Sequence, residues 1–369
     1  MNVSTVVDVV RVGFAGVSHP HMLTRSRLLA ADPRVEVVGF VESDDAIADE
    51  IERNLGLVRY GSLSALLESR IDLVVVEAID PWQMAMAEQC VGLVRGMLLE
   101  KPGTSLPREA YGLSERCERA GMIVEFGYQL HYAESISRLR DVVASGCLGQ
   151  ITQARFHGGC PAGAALDPWQ SLPEDLGGFG YTIGCHVIEW VVSLFGIPLQ
   201  VSGLARRLPP GEVIDSPFYR KELFSGRKAS SKVQVGTCMY EDVAAAVLLY
   251  KDKLVSMDLT AWEAQDWVRL WRVELYGTNG TAQAMGSEDV SVELREARGD
   301  YVAGTTKWRP APPSRDYPYE RQLDGVIKRL QGAEYGKCVG LDIGIAVLRV
   351  LDAMFSSVAT DGVLQNVSS

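Results

Sequence analysis

The 369-residue chain lacks the features that would place it in several common classes of protein. It has no run of about 18 uncharged apolar residues, the length that a membrane-spanning helix needs, so we expect no membrane partner. It has no excess of positive charge, since 47 acidic residues outnumber 36 basic ones and the net charge is −11. Its one short basic cluster, residues 227–232, is typical of a solvated loop. Because phosphate contacts dominate nucleic-acid binding, we expect no nucleic-acid partner.

The sequence also lacks paired cysteines and a secretion signal. Seven cysteines are present, and no two of them form a CxxC pair. This odd, scattered set indicates neither a zinc ribbon nor a disulfide framework, so we expect reduced and mostly buried thiols. Residues 1–16 have no basic start followed by an apolar stretch and a small-residue cleavage site. We therefore expect a cytoplasmic protein.

Two domains are expected from the length alone. Residues 9–125 alternate apolar strands with helical patterns, as in βαβ units around a parallel sheet. The run 72–79, DLVVVEAI, has no polar alternation, which is typical of a strand covered on both faces. Beyond a helix over 134–146, strand patterns dominate. We predict an α/β protein with a dinucleotide-binding domain over 1–127 and an α+β substrate and oligomerisation domain, built on a large, mainly antiparallel sheet, over 128–369.

The expected elements can be stated by residue. Helices are predicted over 21–31, 44–54, 62–69, 82–95, 107–120, 134–146, 185–196 and 345–359. In the second domain, strands are predicted over 151–157, 232–240, 244–250, 253–260 and 271–277. The Pro- and Ser-rich segments 208–217 and 309–318 are predicted to be long loops.

A glycine turn follows the first strand. A helix that starts after such a turn offers free N–H groups and a dipole to a pyrophosphate. The turn keeps only the first glycine of G-x-G-x-x-G, Gly16, because Ser18 and His21 occupy the other two positions. Such a turn can equally be an ordinary connection. Glu42 ends the second strand, where an acidic residue binds the ribose hydroxyls, and residues 43–45 include no Lys or Arg, so we expect NAD rather than NADP.

The histidines at 19 and 21 raise the question of a metal. A zinc site needs three or four ligands, and no further His/Cys set has a helpful spacing. We therefore predict no metal and expect both imidazoles to line the phosphate turn.

Lys101, in the sequence Glu100-Lys101-Pro102, follows a parallel strand at the sheet edge where α/β proteins bind ligands. A lysine there can exchange a proton with an alcohol that is being oxidised. Burial beside a cationic nicotinamide would lower its pKa toward a useful range.

Together these motifs resemble the Gfo/Idh/MocA family, named after glucose–fructose oxidoreductase and inositol dehydrogenase. The matching segments are LLEKPGT (98–104), GYQLHY (127–132), SGCLGQI (145–151), the block 169–189 and ELYGTNGTA (274–282). The resemblance implies a Rossmann-like first domain, with Glu100 and Lys101 against the nicotinamide ribose and the substrate. It further implies that Lys101 contacts the reacting hydroxyl and that His186 assists as acid/base or orienting donor. In the family the Lys-Pro bond can be cis.

The sequence departs from the family pattern at several positions. Thr182 stands where the family has an aspartate, Glu189 where it has a second acid, and His131 where an arginine is common. The family's Thr-Pro-Asn and nearby histidine correspond to 78–80 and Gln83. The missing aspartate removes a charge that would hold Lys101 protonated or poise His186.

The candidate site residues fall into three groups. The catalytic candidates are Lys101, His186 and Thr182. The cofactor-binding candidates are Gly16, Ser18, His19, His21, Glu42, Ala78, Asp80, Gln83, Glu100 and Lys101. The substrate-binding candidates are Gln129, His131, His157, Trp169 and Tyr181. Alternatives remain open: His186 can be a capped or core residue, and Trp169 and Tyr181 can simply cover the cleft. Glu189 can be a helix-surface residue, a pairing residue or a ligand.

We expect hydride exchange between NAD and a secondary alcohol of a sugar, glycoside, sugar nucleotide or cyclitol. The alternatives are a catalytically silent, nucleotide-sensing regulator with the same fold and an NAD-dependent, glycoside-cleaving enzyme. Apolar residues of both parities in 244–250 and 253–260 indicate a sheet that is partly apolar on both faces. We therefore expect a homodimer or homotetramer.

Overall fold

A computed structural model describes residues 9–78, 80–104, 106–163, 178–216, 232–264, 271–286, 289–309, 316–334, 336 and 338–367, without the side chains of residues 80 and 81. Within these ranges, no helix combines the length and the apolar character that crossing a membrane requires.

The first domain is built around a five-stranded parallel sheet in the order β2-β1-β3-β4-β5. Its strands are β1 (Val10–Ala15), β2 (Val35–Val41), β3 (Leu73–Val76), β4 (Gly96–Leu99) and β5 (Ile123–Phe126). Its helices are α1 (His21–Ala31), α2 (Asp45–Leu55), α3 (Leu63–Glu68), α4 (Asp80–Cys90) and α5 (Pro107–Arg119). Every residue of β3 and β4 is buried, which confirms the prediction of central strands covered on both faces.

The second domain begins with α6 (Glu134–Ser145), which ends at Gly146 in the left-handed conformation, as the sequence predicts. A nine-stranded sheet follows in the order β15-β14-β13-β12-β6-β11-β10-β7-β16. Its strands are β6 (Ile151–Pro161), β7 (Gln200–Arg206), β10 (Val243–Leu249), β11 (Leu254–Glu263), β12 (Arg272–Gly277), β13 (Gly280–Met285), β14 (Asp289–Leu294), β15 (Gly304–Trp308) and β16 (Gln365–Asn366). Only the β6–β11 pair is parallel among these described strands, so the sheet is mainly antiparallel, as expected.

The strand predicted over 232–240 is wrong in length. Only β9 (Lys232–Gln234) is a strand there, and it pairs with β8 (Val213–Asp215) in a separate two-stranded sheet. A turn begins after Gln234, and Gly236 adopts a left-handed conformation with φ of 80°, which ends the extended backbone.

Three helices pack on one face of the large sheet. α6 packs on β13 and β14, α7 (Cys185–Phe195) packs on β6, and α9 (Leu341–Ala359) packs on both α7 and β7. The strands alternate accordingly: Ala244, Ala246 and Leu248 of β10 are buried, whereas Val247 faces outward. Among the described residues, the second face of the sheet therefore carries exposed side chains, and we call it the open face.

A helix that the sequence analysis missed connects the two domains. It is α8 (Tyr317–Leu330), and its first residues fall in the segment predicted to be a loop over 309–318. Its apolar residues Leu323 and Val326 pack in one cluster with Val10 and Val12 of β1. This helix follows the large sheet in sequence but helps to form the core of the first sheet.

Candidate active site

The turn after β1 lies against the end of β3. Gly16 has a φ of 70°, and a Cβ at this position would lie 2.6 Å from the Cβ of Ala78. Glycine is therefore required, because a side chain would meet both strain and a clash. The backbone N–H of His19 donates to the carbonyl of Glu77 at 2.9 Å, and α1 begins at His21. The turn and the helix N-terminus thus occupy the carboxyl edge of the sheet, where a pyrophosphate binds in this type of fold.

Glu42 lies beside that turn at the end of β2. Its carboxylate accepts hydrogen bonds from the backbone N–H groups of Val17 at 2.9 Å and of Ser43 at 2.8 Å. The sequence analysis did not consider Arg59, which donates to the Glu42 carbonyl at 3.2 Å and to the Asp45 carboxylate at 2.6 Å. Arg59, a described cation near Glu42, is therefore already paired with the Asp45 carboxylate.

A set of charged and polar side chains is buried where α1 meets the ends of β3 and β4. We call it the buried ion cluster, and its members are His19, His21, Arg25, Glu77, Glu100 and Lys101. Arg25 is at its centre: the guanidinium forms ion pairs with both Glu77 and Glu100 and is fully buried. It also donates to the Gly127 carbonyl and to Gln322 Oε1, each at 3.3 Å, and its charge lies over the ring of Tyr319 at 5.5 Å. Arg25 thereby joins α1, both strand ends and α8.

The two carboxylates that share Arg25 have opposite pKa shifts. Burial raises the pKa of Glu77 to about 8, although Arg25 opposes the shift. Burial also acts to raise the pKa of Glu100, but His21, His19 and Arg25 outweigh it and hold that pKa well below its usual range. Glu100 is therefore the ionised carboxylate of the pair at neutral pH.

The two histidines of the turn both approach Glu100. The distance to Glu100 Oε1 is 3.1 Å from His21 Nδ1 and 3.7 Å from His19 Nε2. Burial lowers the pKa of His21 to about 4 and that of His19 well below its ordinary value. Both imidazoles are therefore neutral at pH 7.

These three residues are the part of the described chain with the spacing of metal ligands, since one ligand atom from each lies within 4.8 Å of the others. Glu100 is the third ligand that the sequence spacing did not reveal. However, the backbone N–H of His21 donates to His19 Nδ1 at 3.2 Å, so the neutral ring carries its proton on Nε2, the atom a metal would need. The cations Arg25 and Lys101 also lie beside the same carboxylate. We therefore keep the prediction that no metal binds here.

Lys101 lies two residues after the end of β4, and the peptide bond that follows it, Lys101–Pro102, is cis. Its ammonium donates to the main-chain carbonyl of Thr182 at 2.8 Å and lies 3.8 Å from Glu100 Oε1. Thr182 belongs to a single π-helical turn, Gly180–Gly184, and its hydroxyl donates to the Gly178 carbonyl at 3.0 Å. Thr182 thus meets Lys101 through its backbone, whereas its side chain bonds its own helix.

His186 lies in the first turn of α7 and is buried. Its ring has edge-to-face contacts with Tyr128 at 5.7 Å and Trp271 at 5.9 Å, and no described residue bonds its Nδ1 atom. Burial, with the charge of Lys101 as the next cause, lowers the pKa of His186 well below its usual value. The imidazole is therefore neutral and can accept or donate a hydrogen bond.

Two substrate-binding candidates lie on a short 3₁₀ turn, Gln129–Tyr132, that packs against α7. His131 Nδ1 lies 2.6 Å from Glu189 Oε1, and both side chains are buried. Ser193, one turn further along α7, donates to the same carboxylate. Of the alternatives for Glu189, the structure shows a pairing residue and not a helix-surface residue. Gln129 is also buried, and its Oε1 has no hydrogen-bond partner among the residues that the structure describes.

His157 and Tyr181 do not join Lys101 and His186. His157 lies on the open face of the large sheet, where it pairs with Asp258 and, at 2.7 Å, with Glu263. Its neighbour Gly158 faces α7 instead, because side chains alternate along β6. Tyr181 stacks on Phe355 of α9, with ring centroids 4.9 Å apart.

The remaining candidates are placed as follows. Ser18 and Gln83 are buried. Trp169 and the side chain of Asp80 lie outside the described residues.

The features that sequence reasoning missed carry a recognisable signal. Glu77 directly follows the apolar strand β3, and Arg25 lies on the buried side of α1. A charge in a buried pattern needs a partner of opposite sign, so the two could have been paired on that ground. Tyr319 and Gln322 were missed because their helix, α8, was not predicted.

Comparison with known proteins gives the class and then the family. Residues 9–128 match the model of the oxidoreductase family with an NAD-binding Rossmann fold, and residues 136–283 match the GFO/IDH/MocA C-terminal domain. The protein is thus an oxidoreductase-family chain with an NAD-binding domain. It belongs to the Gfo/Idh/MocA family.

Individual relatives are more distant. The protein named uncharacterized oxidoreductase C115.03, from Schizosaccharomyces pombe, is 29% identical over 161 residues, which are 42% of this chain and 44% of that relative. An oxidoreductase from Agrobacterium radiobacter, solved with NAD+, L-tartaric acid and magnesium, superposes with a TM-score of 0.76 at 15% identity over 97% of this chain and 98% of its own. The WlbA dehydrogenase from Bordetella pertussis, solved with NADH and UDP-GlcNAcA, superposes with a TM-score of 0.74 at 17% identity over 98% and 99% of the two chains. At these identities the two structures show a shared fold.

Proposed function

We propose that the protein transfers hydride between NAD and a secondary alcohol of a sugar, glycoside, sugar nucleotide or cyclitol. The observation that carries this proposal is the position of Lys101: its ammonium is buried at the carboxyl end of β4, held by the Thr182 carbonyl and adjacent to Glu100. A buried amine at the cofactor edge of a Rossmann sheet is suited to proton exchange with a bound alcohol.

The residues present fit the cofactor. Gly16 leaves the space that the phosphate turn needs, the N-terminus of α1 faces the same edge, and Glu42 is placed beside the turn to accept from ribose hydroxyls. When bound, NAD supplies the hydride acceptor. In the direction of oxidation, Lys101 in its amine form takes the hydroxyl proton, and neutral His186 orients the same oxygen by a hydrogen bond.

Glu100 supports an active enzyme despite the missing aspartate. A carboxylate near the lysine stabilises its protonated form and so assists proton uptake. The 3.8 Å approach of Glu100 to Lys101 provides such a carboxylate from the preceding residue. Thr182 therefore does not deprive Lys101 of a negative partner. The departure at Thr182 is still the observation that favours the second candidate, a silent nucleotide-sensing regulator.

The substrate class rests on the polar groups near α7. Gln129 and His131 lie on the 3₁₀ turn that packs against α7, the helix that carries both His186 and Glu189. Groups of this kind suit a ring with several hydroxyls. The sugar nucleotide in the WlbA complex is compatible with that class.

The deciding experiment is a panel of sugars, sugar nucleotides, glycosides and cyclitols, with NADH formation followed by absorbance. The proposal expects at least one to be oxidised, and Lys101→Met to lose about 10²–10⁴-fold in turnover, the usual worth of a positioned acid/base. NAD affinity, measured by calorimetry, should change little. NAD binding without turnover of any alcohol would instead support the sensor.

We also propose that the chain forms a homodimer or homotetramer through the open face of its large sheet. Leu204 and Val247 lie exposed on this face, at 48% and 37%, and apolar residues there are stabilised when a partner covers them. Light scattering of the wild type beside Val247→Lys tests this: the variant should shift the mass toward a monomer. A wild type that is monomeric at micromolar concentration would contradict it.

A further inference from the structure

One described member of the buried ion cluster is more exposed to solvent than the others. The side chains of Arg25, Glu77 and Glu100 are fully buried, and those of Lys101 and His19 are 2% and 3% exposed. His21 is different, because 22% of its side chain is exposed. Among the described members of the cluster, His21 is therefore the group that can exchange protons with water.

The proposed reaction requires such exchange. Oxidation converts the secondary alcohol and NAD+ into a ketone, NADH and one proton. The hydride leaves with the cofactor, so the proton taken by Lys101 must reach solvent before the next turnover. The Thr182 carbonyl accepts a hydrogen bond from Lys101 but cannot be protonated near neutral pH.

The contacts leading away from Lys101 form a continuous series. Lys101 Nζ lies 3.8 Å from Glu100 Oε1, and the same oxygen lies 3.1 Å from His21 Nδ1. We propose that Glu100 and His21 carry the proton between Lys101 and the solvent. This role rests on the proposed alcohol oxidation, and it makes His21 a positioning residue that acts through Glu100.

The proton balance is simple. In the direction of oxidation, the substrate O–H bond breaks and an N–H bond forms on Lys101. At rest the neutral ring donates from Nδ1 to ionised Glu100, so exchange with water first moves the ring proton to Nε2 and leaves Nδ1 unprotonated. The N–H bond on Lys101 then breaks as the proton moves to Glu100 and on to His21 Nδ1, while His21 Nε2 releases a proton to water. This last step returns the ring to its resting tautomer. In the direction of reduction, Nε2 takes a proton from water and Nδ1 delivers one to Glu100.

The neighbours of His21 favour this route over the one through His19. His19 also approaches Glu100, at 3.7 Å, but its other nitrogen faces Glu77 at 3.8 Å, and Glu77 is fully buried. A proton that takes this branch therefore ends on a carboxylate without access to water. The ring of His21 instead has an edge-to-face contact, at 5.4 Å, with the half-buried ring of Tyr319.

The surroundings of His21 allow its ring to pass a proton on but do not favour a ring that stays protonated. Arg25 on the same helix and Lys101 after β4 disfavour a lasting positive charge on the ring, and Glu100 favours it. Burial, the largest effect, gives the ring a pKa of about 4. His21 is consequently neutral between turnovers and ready to accept the next proton.

The test is His21→Gln, which keeps a polar side chain of similar reach but cannot relay a proton. We expect kcat to fall by about 10–100-fold, somewhat below the worth of a direct acid/base. Imidazole added to the buffer should restore part of the loss, and the solvent deuterium isotope effect on kcat should rise. The affinity for NAD, measured by calorimetry, should stay within about threefold.

Lys101→Met is measured beside it, because imidazole in the buffer should not rescue the loss of the lysine itself. An unchanged kcat and isotope effect in His21→Gln would overturn the relay and leave the proposed function intact, and so would a loss that no buffer rescues in a folded variant. If the wild type oxidises no alcohol, the proposed function fails first and the relay falls with it.

Discussion

The ammonium of Lys101 is bonded to the main-chain carbonyl of Thr182, at 2.8 Å, and not to the Thr182 side chain. The hydroxyl of Thr182 bonds the Gly178 carbonyl within the same helical turn. The π-helical geometry of Gly180–Gly184, rather than the residue type at 182, therefore holds the lysine.

The first prediction follows from this contact. Thr182→Val removes only a hydroxyl bonded to its own helix, so turnover should stay within about threefold, and stability should fall by about 1 kcal/mol. Steady-state kinetics and urea unfolding measure the two effects. Thr182→Asp, the matched variant, should shift the pH profile of kcat toward higher pH, because a new carboxylate stabilises protonated Lys101 or His186. A Thr182→Val enzyme as slow as Lys101→Met would show that the hydroxyl itself is needed.

The cofactor preference is the second prediction. The protein should bind NAD more tightly than NADP, because the Glu42 carboxylate accepts hydrogen bonds from the ribose hydroxyls and repels a 2′-phosphate. A charged hydrogen bond is worth about 1.5–3 kcal/mol, or about tenfold to a hundredfold in affinity. Calorimetric titration of both cofactors measures this ratio, and Glu42→Gln should narrow it. Equal or tighter binding of NADP by the wild type would contradict the assignment.

Removal of metal is the third prediction. Since Arg25 and Lys101 lie beside Glu100, a dication between His19 and His21 would meet strong repulsion. Dialysis against a chelator should therefore leave both the melting temperature and turnover unchanged. If activity were lost on dialysis and returned with zinc or another divalent ion, His19, His21 and Glu100 would instead be identified as metal ligands.

The fourth prediction concerns pH. Burial raises the pKa of Glu77 to about 8 in the folded protein, so the native state binds this proton more tightly than the unfolded chain does. The stability that this tighter proton binding provides is fully present below the pKa of Glu77 in the unfolded chain. It is lost as pH rises toward and through 8. Glu77→Gln cannot ionise. The free energy of unfolding of the wild type should therefore fall, relative to that of Glu77→Gln, as pH rises from about 5 to 8. The difference should change by up to about 1.4 kcal/mol per pH unit. Urea unfolding at several pH values measures this difference. A constant difference would show that Glu77 is ionised throughout.

Local patterns predicted most of the fold. The parallel sheet and α1 over 21–31 appear as expected, because strand and helix periodicities are carried by neighbouring residues. The segment 232–240 was misread, since its apolar residues suit a strand but Gly236 turns the chain. Helix α8 was missed because a Pro-rich segment precedes it and its apolar residues find their partners on β1, far away in sequence.

The site was predictable in part for the same reason. Glu100, Lys101 and His186 stand in recognisable motifs, and the fold brings them to one edge of the sheet. The pairing of Arg25 with Glu77 depends on how α1 packs over β3, which no local pattern reports. His157 was assigned to the pocket by residue type alone, whereas strand alternation places it on the open face.

The last prediction tests the centre of the buried ion cluster. Arg25→Met keeps most of the side-chain volume but leaves Glu77 and Glu100 without their shared cation. Breaking a buried pair in this way costs about 3–5 kcal/mol, because an uncompensated buried charge remains. Arg34→Met is the control, since Arg34 is 33% exposed and pairs with Asp32 near the surface, where such contacts are worth about 0–1 kcal/mol. Urea unfolding of both variants at pH 7 compares the two losses. The double variant Arg25→Met/Glu100→Gln should recover part of the stability, because Glu100 is the carboxylate that is ionised at pH 7 and this substitution removes its charge. Equal losses for Arg25→Met and Arg34→Met would mean that Arg25 does not hold the cluster together.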